Sequence, residues 1–377
     1  MKQEPSSLHK HHLVSLQKDA IEILKKLIST PSLSKEESKT ADHLQTFLES
    51  KNIKTNRWLN NIWATNKWFD PGKPTVLLNS HHDTVKPNAG YTMDPFSAME
   101  KDGKIWGLGS NDAGGCVVSL LAAFLFFYEH EGLGYNLVVA ITAEEEISGS
   151  NGIQSLLANK EFMDIVCTGG DDPFKHLVAL VGEPTKMEMA VAEKGLLVLD
   201  CTAEGKAGHA ARNEGENSIY TAMEDIDRLR KFQFTKISDL LGPVKLSVTV
   251  IETENKEHNV VPPVCRFVLD IRVNELYTFE EIQETISSHI KSNIRPRSTR
   301  LRSSMIPLDH PLVRAGLALN IKYYGSPTTS DKALMRFPAL KMGPGDSARS
   351  HTADEFILVE EINSGIELYI QLLKSLL

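Results

Sequence analysis

Residues 75–85 read TVLLNSHHDTV, an apolar run, a short polar step, and then two histidines and an aspartate. An unbroken apolar run of this length, without polar alternation, suits a strand buried on both faces of a parallel sheet. In open sheets of that kind ligands bind beyond the carboxyl ends of the strands, where His81, His82 and Asp83 stand. The pattern recurs downstream. NLVVAIT (136–142) leads into Glu144, Glu145 and Glu146, and HLVALVG (176–182) leads into Glu183.

Helices are predicted around these runs. Leu13, Leu16, Ala20, Ile23 and Leu24 fall at helical spacing, and EESKTADHLQTFLESKN repeats the pattern. The segment GCVVSLLAAFLFFYEHE from Gly115 holds about a dozen uninterrupted apolar residues, short of the ~18–20 that span a bilayer, and so reads as a core helix. Strands separated by helices imply an α/β fold with a mainly parallel central sheet. From Lys194 the texture changes: GLLVLDCTAEG, VKLSVTVIETE and VCRFVLDIRVNEL alternate apolar and polar residues, as half-exposed antiparallel strands do. With the helical stretches NSIYTAMEDIDRLRKFQ and TFEEIQETISSHIKSNI between them, they predict an inserted α+β domain over 194–303. Residues 1–193 and 304–377 then form the interrupted α/β domain, closed by the strand in ALKMGPGD and a C-terminal helix.

Bulk properties narrow the partners. A net charge of -8 and a pI near 5.9 argue against a nucleic-acid or anionic-membrane footprint, which would need a basic face, so a small molecule or a second copy of the chain is expected. Cys116, Cys167, Cys201 and Cys265 form no CxxC pair and read as buried thiols in a reducing compartment. The start, MKQEPSSLHKHHLVSLQKDA, lacks the apolar core of a signal peptide, and a cytoplasmic location is expected.

The acidic residues carry the chemistry. GLGSNDAGG supplies Asp112 just before the apolar helix, and GPGDSARSHTADEF supplies His351. If the carboxylates at the strand ends met in one pocket, repulsion and desolvation would force several to be protonated unless divalent cations joined them. Histidines with carboxylates and no cysteine suit zinc or a neighbouring transition metal better than calcium. The spacing His81-x-Asp83 puts both side chains on one side of extended backbone, so Asp83 can orient the His81 ring. Taken alone, HHD reads as a polar loop with a satisfied histidine. TAEEEISGS, taken alone, reads equally well as a capping box between Thr142 and Glu145 at a helix start, or as adjacent carboxylates of which one binds metal and the other acts as general base.

In this order the motifs SHHDTVKP, DPFSAMEKDGKIWGLGSNDAGG, TAEEEISGS, VGEPT, EKGLLVLDCTAEGKAGHAARNEGENS, HNVVPP, DIRV and GPGDSARSHTADEF resemble the acetylornithine deacetylase and succinyl-diaminopimelate desuccinylase family, relatives of dizinc carboxypeptidases and aminoacylases. The resemblance spans nearly the whole chain. It implies a zinc-peptidase-like catalytic domain with an inserted lid and dimerisation domain, two divalent ions per subunit (zinc, or cobalt in its place), and hydrolysis of an N-acyl amino acid by a homodimer. His81 and Glu183 would bind one ion, Glu146 and His351 the other, and Asp112 both. The Asp112–Ala113 peptide would be cis. Glu145 would be the general base, passing a proton from water to the departing amine, and Asp83 would orient His81.

His209 would stabilise the tetrahedral oxyanion, and Asn259, Arg272, Thr329 and Ser330 would meet substrate, with Asp331 in the same loop. Gly343 and Gly345 would let backbone approach the site. The implied leading substrate is N-acetyl-L-ornithine, as in arginine biosynthesis; acyl-citrullines, succinyl-diaminopimelate and dipeptides fit the same motifs. Leu108 and Gly114 stand where many relatives carry arginine and lysine, and His82 fills a variable place.

Overall fold

The computed structural model describes residues 7–167, 172, 174–212 and 214–377, with side chains from residue 11 onward. The first six residues, on which the reading of the N-terminus partly rests, lie outside the described residues.

The chain divides into two compact units, residues 1–191, 306–324 and 330–377, and residues 192–305 with 325–329. In the first, the apolar runs became the strands Thr75–His81, Asn136–Thr142 and Leu177–Val181, every residue of them buried. Thr75–His81 lies between the other two, parallel to both, and Ala339–Lys341 extends the parallel set next to Leu177–Val181. Both flanks turn antiparallel. Asn61–Thr65 pairs with Asn136–Thr142, and Ala190 of the strand Met189–Glu193 pairs with Lys341.

Helices cover both faces, which is why these strands show no polar alternation. On one face Leu77, Val138, Ala140, Ala179 and Val181 pack against Ile153, Leu156, Phe162 and Val166 from the helices Ile153–Ala158 and Lys160–Val166. The apolar helix Gly115–Phe127 is buried at every residue but Leu125 and packs against the helices Ser7–Ile28 and Val359–Lys374. Among the described residues one helical stretch, Ser110–Phe127, has the length and hydropathy of a membrane span, and 89% of it is buried within the protein. It is the core helix of the sequence reading.

In the second unit a four-stranded antiparallel sheet runs in the order Lys245–Glu252, Val264–Val273, Gly195–Glu204, Asn293–Ser298. The two central strands alternate buried and half-exposed residues, as their sequences predicted. Their inner face, with Leu197, Leu199, Phe267 and Leu269, shares a core with Ala222, Leu229, Ile282 and Ile286 from the helices Ser218–Lys231 and Phe279–His289. A mostly parallel sheet with a separate antiparallel sheet and helices is the predicted class.

Candidate metal centre

The strand Thr75–His81 delivers His81 to the carboxyl end of the sheet. Its Nδ1 lies 3.1 Å from the Asp83 backbone oxygen and 3.4 Å from Asp83 Oδ1. A carbonyl oxygen only accepts, so Nδ1 carries a proton and Nε2 is the nitrogen turned towards the acids. Orientation by Asp83 was expected through the carboxylate alone; the closer contact is the backbone.

The Asp83 carboxylate has a second task. It accepts the Ser34 hydroxyl at 2.7 Å and the backbone N–H groups of Glu145 at 3.0 Å and Glu146 at 3.2 Å. Burial opposes its charge, but His81, Ser34 and the Glu145 N–H outweigh burial and hold its pKa below the ordinary value. One carboxylate therefore fixes both the histidine and the loop that carries the next two acids.

His81 Nε2 faces Asp112 Oδ1 at 3.3 Å, Glu183 Oε1 at 3.8 Å and Glu145 Oε2 at 3.9 Å. His351 Nε2 meets Glu146 Oε2 at 2.9 Å and Asp112 Oδ2 at 3.7 Å. Two sets of donor atoms result, His81, Asp112 and Glu183, and Asp112, Glu146 and His351, each with all atoms within 4.8 Å of one another. Asp112 belongs to both, one oxygen turned to each histidine. The Asp112–Ala113 peptide bond is cis.

Electrostatics tests whether cations fit. Burial drives Glu145 well above the carboxylate range; His81 opposes this, and Glu183, Asp331 and Glu146 reinforce it. Glu183 rises to about 8, from burial first and then from Asp112. Asp112 goes the other way, its pKa lowered by His81 against burial, so without added positive charge it is the glutamates that take up protons, the conflict a pair of divalent ions removes.

The three consecutive acids have separate tasks. Glu144 turns away to accept Asn151 Nδ2 at 2.8 Å and closes its own loop. No helix follows Thr142, so the capping-box reading fails: the Thr142 hydroxyl bonds Asp331 at 2.9 Å instead. His82 also has a task. Strand alternation turns it to the opposite side from His81, where it is 6% exposed, with Nδ1 2.9 Å from Thr40 Oγ1 and Nε2 donating to the Asn60 oxygen at 2.9 Å.

Burial lowers its pKa to about 4, so His82 is neutral in the folded chain. Because the unfolded chain binds that proton near pH 6.5, its contribution to stability is complete above pH 6.5 and is lost as pH falls towards 4. His82→Ala is expected to cost about 1–3 kcal/mol by orphaning the Asn60 carbonyl, and to flatten that acid loss. Urea unfolding of chelator-stripped protein from pH 7 to 5 measures both; unchanged stability would reject the role.

Gly114 admits no side chain, because a Cβ there would sit 2.4 Å from the Gly109 oxygen and 2.7 Å from Leu24 Cδ1. Leu24 of the opening helix fills the space a side chain there would need. Leu108 is buried. Gly343 does sit tight against the site, since a Cβ would lie 2.6 Å from the Glu183 oxygen.

The second unit holds His209, Asn259, Arg272 and Thr329. His209 Nδ1 accepts the Ala211 N–H at 3.2 Å, which in the neutral ring puts the proton on Nε2. Asn259 is exposed. Arg272, expected to meet substrate, is engaged by Asp270 on its own strand through two bonds of 2.8 and 3.0 Å. The Thr329 hydroxyl bonds the Lys194 oxygen at 2.9 Å. Ser330, in the first unit, caps the turn Asp331–Leu334. Both hydroxyls serve backbone.

Sequence reasoning missed Glu355 and Asn111. Glu355, 2% exposed, accepts the N–H groups of Gly109 at 3.2 Å, Asn111 at 2.8 Å and Asp112 at 2.9 Å. Its only signal was its place four residues after His351, in front of the apolar strand Phe356–Leu358.

A family model described as Peptidase family M20/M25/M40 matches residues 77–375. A succinyl-diaminopimelate desuccinylase from Cereibacter sphaeroides is 29% identical over 273 residues, 69% of each chain. Among solved structures, the M20 family metallo-carboxypeptidase Sso-CP2 from Sulfolobus solfataricus superposes with a TM-score of 0.72 at 16% identity, over 94% of this chain and 98% of that one. The YXEP protein of Bacillus subtilis, a dinuclear metal-binding M20 peptidase, gives 0.69 at 15% identity, over 96% and 98%.

Proposed function

Because this chain belongs to peptidase family M20/M25/M40 and is a metal-dependent amidohydrolase, we propose that it cleaves the amide bond of an N-acyl amino acid at a centre of two divalent ions. The observation that carries this reading is Asp112, whose two oxygens are divided between two three-residue ligand groups. His81 and Glu183 would hold one ion, Glu146 and His351 the other, with zinc the first choice and cobalt its substitute. Such ions supply polarisation of the scissile carbonyl and acidification of water.

The chain supplies the proton handling. Glu145 lies outside both ligand groups, and burial has raised its proton affinity, so its carboxylate can take a proton from water and return it to the departing amine nitrogen. We assign the oxyanion donor to His209, whose Nε2–H follows from the Ala211 bond. The edge strand Lys245–Glu252, with Val250 and Ile251 45% and 52% exposed and no partner on its outer side among the described residues, supports a homodimer. The four cysteines are free thiols, three buried and Cys167 half-buried, which suits a reducing cytoplasm.

For the substrate we place N-succinyl-diaminopimelate ahead of N-acetyl-L-ornithine. The curated relative carries that activity in its name, whereas the catalytic motifs alone fit both. Acyl and side-chain choice reside in pocket walls, so the test must be direct. Amine release is measured from N-succinyl-LL-diaminopimelate, N-acetyl-L-ornithine, N-acetylcitrulline and a dipeptide, using chelator-stripped protein before and after zinc or cobalt is restored. Metal-dependent release, fastest from the succinyl compound, is expected. A faster acetylornithine reaction would reverse the substrate order, and release from none of the four by the zinc-loaded protein would overturn the deacylase reading.

A further inference from the structure

We propose that Glu355 and Asn111 form a two-way clamp that sets the second ligand group, so that the Glu355 carboxylate governs affinity for one of the two metals and leaves the other nearly untouched. The proposal rests on the two-metal reading above and adds a positioning residue to it.

The clamp has two arms. From the His351 side, Glu355 gathers three backbone N–H groups of the turn 109–112, the last of them from Asp112 itself. Gly107 N–H also bonds the Glu355 backbone oxygen at 2.9 Å. From the Asp112 side, Asn111 reaches back: Nδ2 donates to the Asp346 oxygen at 3.1 Å and to Ser350 Oγ at 3.4 Å, and Oδ1 accepts the Asp346 N–H at 2.9 Å.

Gly345 makes the second arm possible. It has φ +89°, and a Cβ there would stand 2.5 Å from Asn111 Oδ1. His351, itself at φ 61°, lies between the two anchor points Asp346 and Glu355.

The two ligand groups differ in what supports them. His81 ends a strand paired on both sides, and Glu183 stands two residues beyond the strand Leu177–Val181, after Gly182, whose N–H bonds the Asn79 oxygen at 2.7 Å. Sheet hydrogen bonds hold the strand ends that lead to those two, and none of those bonds involves residue 355. Asp112 sits in the turn Ser110–Gly114 ahead of the core helix and His351 in a loop outside the sheet, and the Glu355 and Asn111 bonds tie these two segments to each other. Cutting the clamp displaces two of the three ligands in the group Asp112, Glu146 and His351, but only the shared Asp112 in the other.

The test is a zinc titration of chelator-stripped, full-length protein against a chromophoric competitor that resolves two affinities. Glu355→Ala is expected to weaken one site by about 10–100-fold, the usual effect of removing a group that orients a ligand, and to leave the other within about threefold. Glu355→Gln keeps one oxygen for the Asn111 and Asp112 N–H groups and should restore most of the loss. If Glu355→Ala does not fold, Asn111→Ser cuts the reverse arm and should give the same split. Equal weakening of both sites, or of neither, overturns the clamp. Wild-type protein that takes up fewer than two zinc ions overturns the two-metal reading itself.

Discussion

Glu145→Ala is expected to bind two zinc ions per chain as the wild type does and to lose about 10²–10⁴-fold in kcat, the range spanned by general acid–base groups. The two halves of that expectation have separate origins. Metal should stay because Glu145 contributes to neither ligand group and its backbone is held from outside, by the Asp83 carboxylate on the N–H groups of Glu145 and Glu146. Turnover should go because Glu145 is the carboxylate beside His81 and Glu183 that is not spoken for by a metal group. Metal analysis and steady-state kinetics on the same preparation decide it. Full activity would remove the base, and loss of one zinc would make Glu145 a ligand.

How far the site could be read from the chain depends on which physical rule each residue obeys. The apolar runs at 75, 136 and 177 declared buried strands because both faces are covered, and the rule that ligands gather at strand carboxyl ends then marked His81, Glu145, Glu146 and Glu183. Period-two alternation was enough to separate His81 and Asp83 from His82, though the sequence could not show that Thr40 and Asn60 wait on the other side.

Local patterns misled where tertiary partners outcompeted them. Thr142 and Glu145 have capping-box spacing, yet the threonine hydroxyl goes to Asp331, 189 residues away. Glu355 looked like any acid near a surface loop. Its value lies in three N–H groups more than 240 residues distant, and no spacing rule reaches that far.

Asp112→Ala should have the largest effect of any single ligand change: roughly 0.1% or less of wild-type activity, with neither metal retained at stoichiometric zinc. His81 and Glu183 define one group and Glu146 and His351 the other, so removing any of those four leaves one group intact; removing Asp112 leaves two incomplete pairs. Thermal unfolding tells lost metal apart from lost fold. Zinc at about 1,000 times its dissociation constant adds about 4 kcal/mol to a chain that binds it only when folded, so wild-type Tm should rise on zinc addition while Asp112→Ala should not respond. The stripped proteins should compare differently. Asp112's charge helps push up the proton affinity of Glu183 and Glu146, after burial, yet against burial its own pKa is lowered by its pairing with His81, so its removal relieves one interaction and loses another. Stripped Asp112→Ala should therefore melt close to stripped wild type. A variant that still gains Tm with zinc would mean that the two groups bind independently and share nothing through Asp112.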